Sequence, residues 1–425
     1  MAIDARAAEA VLDRIRQEDV VELALRLGNI EAPAGGEREA GDAVYEWLAE
    51  NGFAPQRIGM FEDRFNVWAE LPGHGRGPAL AFNSHLDTWM KRTDNLIWRE
   101  PNRPDYHSSW EEGDVLVGNP VVNDKGPMAG WMIAAKAIKD AGIELDGSVY
   151  LTMVAGEIGQ EPVDEFQGPE YISKEVGARF LVNHSPRASF CVCAEASSFR
   201  KGWVEAGKAW HKITVYGLRA RYTPFLERPF TREDQPNAIL RAVPLLERLE
   251  EWALEYEQKN RYEGPGGTVV PRVNIGAVRG GQPWMLIQNP EVFVIYLDIR
   301  SVPDQDTTVI RHELADLLTE LGLEGKVEQF LNRPSYEAKG IEPLSEEVDE
   351  AHQMEFGTEC EIAKSEDCSM WRDLLLFNEV GIPSLQYGGG GGAGPGVFEV
   401  RKDELERAAR VYALTALSLC GGSPS

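Results

Sequence analysis

The stretch Pro78-Ala79-Leu80-Ala81-Phe82-Asn83-Ser84-His85-Leu86-Asp87-Thr88 opens on an apolar run and closes on a histidine and an aspartate two positions apart. A short apolar run of this kind reads as a buried strand. Open α/β sheets gather their ligands at the carboxyl ends of strands, which is where His85 stands. A metal-binding imidazole usually passes its other ring proton to a carboxylate. His85 is therefore a candidate ligand, and Asp87 a candidate partner that orients it and supports catalysis. Taken alone, His-x-Asp is better explained as a hydrogen-bonded core histidine.

Three further carboxylates change the balance. Asp124, in Val122-Asn123-Asp124-Lys125-Gly126, precedes a helical pattern. Glu157, in Val154-Ala155-Gly156-Glu157-Ile158-Gly159, follows the apolar run 149–154, and Glu195, in Cys193-Ala194-Glu195-Ala196, follows the run 190–194. Each one singly is explained as a helix N-cap or a solvated loop acid. The ordered set, one acid after another at element ends, points to an oxygen-rich centre suited to zinc, manganese or cobalt.

Outward from these motifs the pattern is α/β. Residues 5–27 have helical spacing, 37–51 form an amphipathic helix stopped by Gly52, and 66–71 and 79–83 read as strands. Residues 89–119 show no period and are expected as a long loop, with Trp89, Tyr106 and Trp110 offering an aromatic wall for a flat substrate. A helix at 126–141 and strands at 149–154 and 190–194 follow. Beyond Gly207 the pattern changes. Strands at 210–216, 272–278, 292–299 and 326–330 and helices at 237–256 and 307–321 come in the β-α-β-β-α-β order of a ferredoxin-like sandwich. From Leu344 a helix, a strand and a final helix at 403–419 return to the first pattern. The expected fold class is α/β: a catalytic domain (1–207 and 338–425) interrupted by an inserted ferredoxin-like α+β lid or dimerisation domain (208–337).

Bulk properties narrow the function. With 425 residues, two domains are the prior. A formal net charge of −26 opposes binding to nucleic acid or anionic membranes. Five cysteines without paired spacing suggest reduced thiols, and Cys191-Val192-Cys193 is too tight for a zinc knuckle. Met1-Ala2-Ile3-Asp4-Ala5-Arg6 lacks the apolar core of a signal peptide, so a cytoplasmic protein is expected.

Ser84-His85-Leu86-Asp87-Thr88, Asp124-Lys125-Gly126, Glu195, Asn237-Ala238-Ile239, Asp298-Ile299-Arg300, and Asp373 ahead of Gly381-Ile382-Pro383 together resemble the metallopeptidases and amidohydrolases that include acetylornithine deacetylase, succinyl-diaminopimelate desuccinylase, carboxypeptidase G and aminoacylase. The resemblance implies that His85, Asp124 and Glu195 hold one metal. It also implies that Asp124 bridges to a second metal held by a glutamate and a C-terminal histidine, with the first glutamate of a Glu-Glu pair as general base. It further implies a homo-oligomer through the inserted domain and a small-molecule substrate.

Three departures stand beside these matches. Gly156-Glu157 replaces the Glu-Glu pair, Pro395 stands where the C-terminal histidine is expected, and Arg221 stands where the lid histidine is expected. The first two both remove parts of the second metal site. The expectation is one divalent transition metal per chain, manganese or zinc and also cobalt, with Glu157 free to shuttle protons. The alternative is Glu157 as a remnant ligand with no base present. Arg221 and Arg300 are candidates to clamp a substrate carboxylate; Arg221 is equally explained as a surface cation, and Arg300 as a structural one. The resemblance extends to a relative acting on an aromatic amine, which makes the expected reaction hydrolytic deamination of a carboxylate-bearing nitroaromatic amine by metal-activated water. The alternatives are an aminoacylase or dipeptidase, and a non-catalytic binding protein on a decayed hydrolase scaffold.

Overall fold

Four strands of the central sheet run parallel, so their carboxyl ends open on one side. The computed structural model, describing residues 3–88, 96–391 and 396–424, orders the six strands as Gln56–Ile58, Asn66–Leu71, Val149–Val154, Leu80–His85, Phe190–Ala194 and Ser384–Tyr387. The last four are mutually parallel, and the first two close that flank antiparallel. Every residue of Leu80–His85 is buried, as a central parallel strand covered on both faces requires. Phe82 stacks on Trp131 of the Gly126–Asp140 helix at 6.2 Å and meets Tyr412 of the Lys402–Cys420 helix edge-on at 5.5 Å. One side chain of the His85 strand thus ties two helices to the sheet.

The chain divides into two compact units. The first comprises Met1–Trp203, Ala338–Ala363 and Arg372–Ser425, and the second Val204–Glu337 with Lys364–Trp371. The second unit holds a four-stranded antiparallel sheet in the order Val273–Gly280, Val292–Ser301, Gly207–Tyr216, Gly325–Arg333. Helices Ala238–Lys259 and Thr308–Glu320 cover it through a core that includes Ile213, Ile295, Leu245 and Leu314. An α/β unit with a separate ferredoxin-like sandwich is the fold class the sequence pattern implies.

Local differences have local causes. Residues 5–27 form two helices, Ala5–Leu12 and Gln17–Gly28, because Ile15 between them turns into the core and an extended Arg16 pairs with Asp19 at 2.5 Å. The strand expected at 79–83 runs to His85, so the histidine is its last residue. Within 96–119 the expected loop contains structure. Trp110–Glu112 and Val115–Val117 form a hairpin around Gly113 (φ +61°), with Glu399–Arg401 as a third strand. Three-residue strands are too short for a period to register. Tyr106 packs against Trp98 and Phe398, at 5.0 and 5.8 Å, so it belongs to a local aromatic cluster. Trp110 is a partly exposed hairpin residue, and Trp89 lies outside the described residues. Cys191 and Cys193 are buried free thiols with sulfurs 4.0 Å apart on one face of their strand. Among the described residues no helix is long and apolar enough to cross a membrane.

Candidate metal centre

At the carboxyl side of the parallel strands, His85, Asp124 and Glu195 each offer one ligand atom, and these atoms lie within 4.8 Å of one another. His85 ends its strand, Glu195 follows the Phe190–Ala194 strand directly, and Asp124 sits in the turn leading into the Gly126–Asp140 helix. Sheet topology and the turn before the Gly126–Asp140 helix together bring into reach three residues that are 39 and 71 positions apart along the chain.

His85 is oriented from behind. Its Nδ1 donates to the Asp87 carbonyl at 2.7 Å and lies 3.5 Å from the Asp87 carboxylate. That leaves Nε2 for an ion; Asn123 Oδ1 now stands 3.0 Å from it. Burial works against a charged His85, but Asp87 outweighs it and raises the imidazole well above its ordinary value. Burial also works against an ionised Asp87; His85 and the backbone N–H groups of Ile158 and Glu157 hold that carboxyl down at about 2. The buried Lys125 ammonium donates to the carbonyls of His85, at 3.0 Å, and Leu86, fixing the strand end from the other side. Burial pushes it down to about 8.

The donor set fits a divalent ion. Asp124 is fully buried; its Oδ2 accepts the His85 N–H at 3.3 Å, while Oδ1 has no hydrogen-bond partner among the described residues. A buried carboxylate oxygen without a partner is costly, and a bound cation removes that cost. Burial and the neighbouring Glu195 push Asp124 well above the ordinary carboxyl range. Burial lifts Glu195 to about 7 against the pull of Arg372, whose Nε lies 3.8 Å away.

Glu157 stands apart from the three. Its backbone N–H is held by Asp87 at 3.0 Å, and its carboxylate accepts from Lys174 Nζ at 2.5 Å. Lys174 also donates to Asp373 at 3.1 Å. These residues do not fit a second ion, because the glutamate that resemblance assigns to it already faces an ammonium. Pro395 lies outside the described residues. The glycines 388–391 pack closely. The Gly388 carbonyl accepts from Phe199 at 2.8 Å, and a Cβ on Gly388 would lie 2.3 Å from the Glu195 carbonyl. Glycine is required at 388 by this close backbone approach.

Arg221 and Arg300 belong to the second unit. The Arg221 N–H donates to Asn289 Oδ1 at 2.7 Å, and its side chain is exposed. Arg300 reaches Asp298 at 2.8 Å on its own strand. Sequence reasoning missed Lys174, Lys125 and Arg372. Lys125 stands inside Asp124-Lys125-Gly126 with no role assigned to it there, and Lys174 and Arg372 lie in no motif; each draws its significance from burial beside carboxylates or carbonyls distant in sequence.

The sequence pattern of peptidase family M20/M25/M40 matches residues 81–418. Among curated relatives, an N-formyl-4-amino-5-aminomethyl-2-methylpyrimidine deformylase of Bacillus subtilis is 29% identical over 147 residues, 33% of each chain. A probable carboxypeptidase of Aspergillus terreus is 30% identical over 162 residues, 36% of this chain and 34% of that one. The matched stretches thus span about a third of these relatives' own length. Human carnosine dipeptidase 1 superimposes with a TM-score of 0.70 at 15% identity, covering 99% of this chain and 100% of that one. The di-peptidase Dug1p from Saccharomyces cerevisiae does so with 0.72 at 11% identity and the same coverage. At such identities the likeness shows the fold. With the family pattern running from within the His85 strand to the last helix, the chain belongs to peptidase family M20/M25/M40, a family of metallohydrolases that cleave C–N bonds.

Proposed function

We propose that this protein holds one divalent transition metal per chain, manganese or zinc and also cobalt, and hydrolyses a C–N bond in a small carboxylate-bearing substrate. An amide bond, in an N-acyl amino acid or a dipeptide, is the best-supported target. The observation that carries this reading is the convergence of His85, Asp124 and Glu195, with Asp124 Oδ1 lacking a hydrogen-bond partner among the described residues. When bound, the ion lowers the pKa of water and polarises the carbonyl it meets. Asp87 holds the His85 ring and the Glu157 turn in fixed relation. Glu157 takes the proton of the attacking water and delivers it to the leaving nitrogen.

A second reading is favoured by the single glutamate of Gly156-Glu157 where a pair is expected. It is hydrolytic deamination of 5-nitroanthranilate to 5-nitrosalicylate and ammonia. Water attacks the ring carbon bearing the amino group, the para nitro group holds the resulting charge, and Glu157 protonates the leaving ammonia. We further propose a cytoplasmic homo-oligomer assembled through the inserted unit, with no nucleic-acid or membrane partner. Support comes from the acidic net charge of −26 and from the exposed Trp284 and Leu286 of the second unit.

The test is incubation of metal-loaded protein with a panel of N-acyl amino acids and dipeptides alongside 5-nitroanthranilate. Free amino acid supports the first reading, and ammonia with 5-nitrosalicylate the second. No turnover together with no retained ion would point to a binding protein on a hydrolase scaffold.

A further inference from the structure

Lys174 is 1% exposed, with its Nζ 2.5 Å from Glu157 Oε1 and 3.1 Å from Asp373 Oδ1. The other Asp373 oxygen takes the Asn83 amide at 3.1 Å. Removing an ammonium from water is costly unless carboxylates meet it, and here two do.

Its approach is built from both sides. Arg64, itself buried, pairs with Glu37 at 2.5 and 2.9 Å and donates to the carbonyls of Pro169 and Ile172. The segment is therefore anchored two residues before the lysine. Asp373 precedes the Leu374–Glu379 helix, and Asn83 lies on the His85 strand itself.

Of the three further acids singled out at element ends, Asp124, Glu157 and Glu195, Glu157 alone is missing from the group around His85. It is also the acid to which resemblance assigns a second ion. We propose that Lys174 is a resident counter-charge: its ammonium, fixed between Glu157 and Asp373, supplies one positive charge to a carboxylate that a second divalent ion would otherwise meet and closes that position to the ion. The inference rests on the one-ion reading above and gives it a cause in this chain's own residues. It also separates two duties that one carboxylate cannot combine. Glu157 facing an ammonium keeps its place as a proton carrier while being withheld from coordination.

The test is Mn(II) titration of the full-length wild type, K174R and K174M, with bound ion counted by elemental analysis and its environment read by electron paramagnetic resonance. Wild type and K174R are expected to hold one ion per chain with the hyperfine pattern of an isolated Mn(II). K174M is expected to take up a second ion and show an exchange-coupled pair. K174M remaining at one ion with unchanged affinity overturns the counter-charge role while leaving the one-ion reading intact. Two ions in the wild type overturn the one-ion reading itself, and the counter-charge with it. Should K174M fail to fold, K174M/E157Q decides, because it removes a carboxylate together with the ammonium. Recovery of folded protein in the double variant supports the charge role, and a double variant that also fails to fold overturns it.

Discussion

The Asp87 carboxylate accepts the backbone N–H of Glu157 at 3.0 Å, so the group that orients the His85 ring also sets the turn presenting Glu157, the proposed proton carrier. Its second oxygen takes the N–H of Ile158 at 2.8 Å. Asparagine in this place keeps one acceptor and turns an amide donor toward an N–H. D87N is expected to weaken Mn(II) or Zn(II) binding about 10- to 100-fold and to lower turnover further through the displaced Glu157. Calorimetric titration of the variant checks it, and wild-type affinity would remove Asp87 from the centre.

Glu157 offers a cleaner separation of chemistry from binding. Glutamine still accepts from Lys174 but carries no proton. E157Q is expected to lower kcat by about 10²- to 10⁴-fold while bound metal per chain stays at the wild-type level. Full activity would end its role as a base. Lost metal with lost activity would make it a ligand instead.

Gly388 backs the Glu195 carbonyl so closely that a single methyl group must displace something, with the Tyr412 hydroxyl 2.8 Å away on another side. G388A is expected to cost about 1–3 kcal/mol of stability by overpacking and to weaken metal binding by moving Glu195. Thermal melting and metal titration read the two effects separately. Unchanged ion affinity would show that Glu195 holds its position without this contact.

His211 gives the second unit a pH dependence of its own. It is fully buried on the core face of its strand, and burial lowers its pKa to about 4 from an ordinary 6.5. The unfolded chain then binds more protons than the native one between those values. Stability is complete above about pH 6.5 and falls as the pH drops toward 4, by about 3 kcal/mol in all. Urea unfolding at pH 5 and 7.5 should show the wild type losing more between the two than H211L. Equal losses would place the dependence elsewhere.

What the sequence discloses follows from how local each signal is. His85, Asp124 and Glu195 are legible because apolar runs and a helical pattern mark the element ends that carry them. The β-α-β-β-α-β order of the second unit is legible for the same reason. The break at Asp13–Arg16 is not, since Ile15 keeps the helical spacing intact while its backbone leaves the helix. The Trp110–Glu112 hairpin finds its third strand nearly 300 residues later. Lys174 is the extreme case: its partners lie 17 and 199 positions away, and nothing in Ser173-Lys174-Glu175 distinguishes a buried ammonium from a solvated one.

The edge strand Ser384–Tyr387 pairs only with Phe190–Ala194 in the central sheet, and Arg372 and Asp373 reach Glu195 and Lys174 from the same late segment. The groups that orient His85, Asp87 and Lys125, lie close to it in sequence, whereas the neighbours of Glu195 and Lys174 come from residues nearly 180 and 200 positions further on. The Lys402–Cys420 helix, which packs Tyr412 against Phe82, arrives later still. On the one-ion proposal, a fragment that stops short of residue 372 would hold its ion less tightly than the full chain, because Glu195 would lack its guanidinium neighbour.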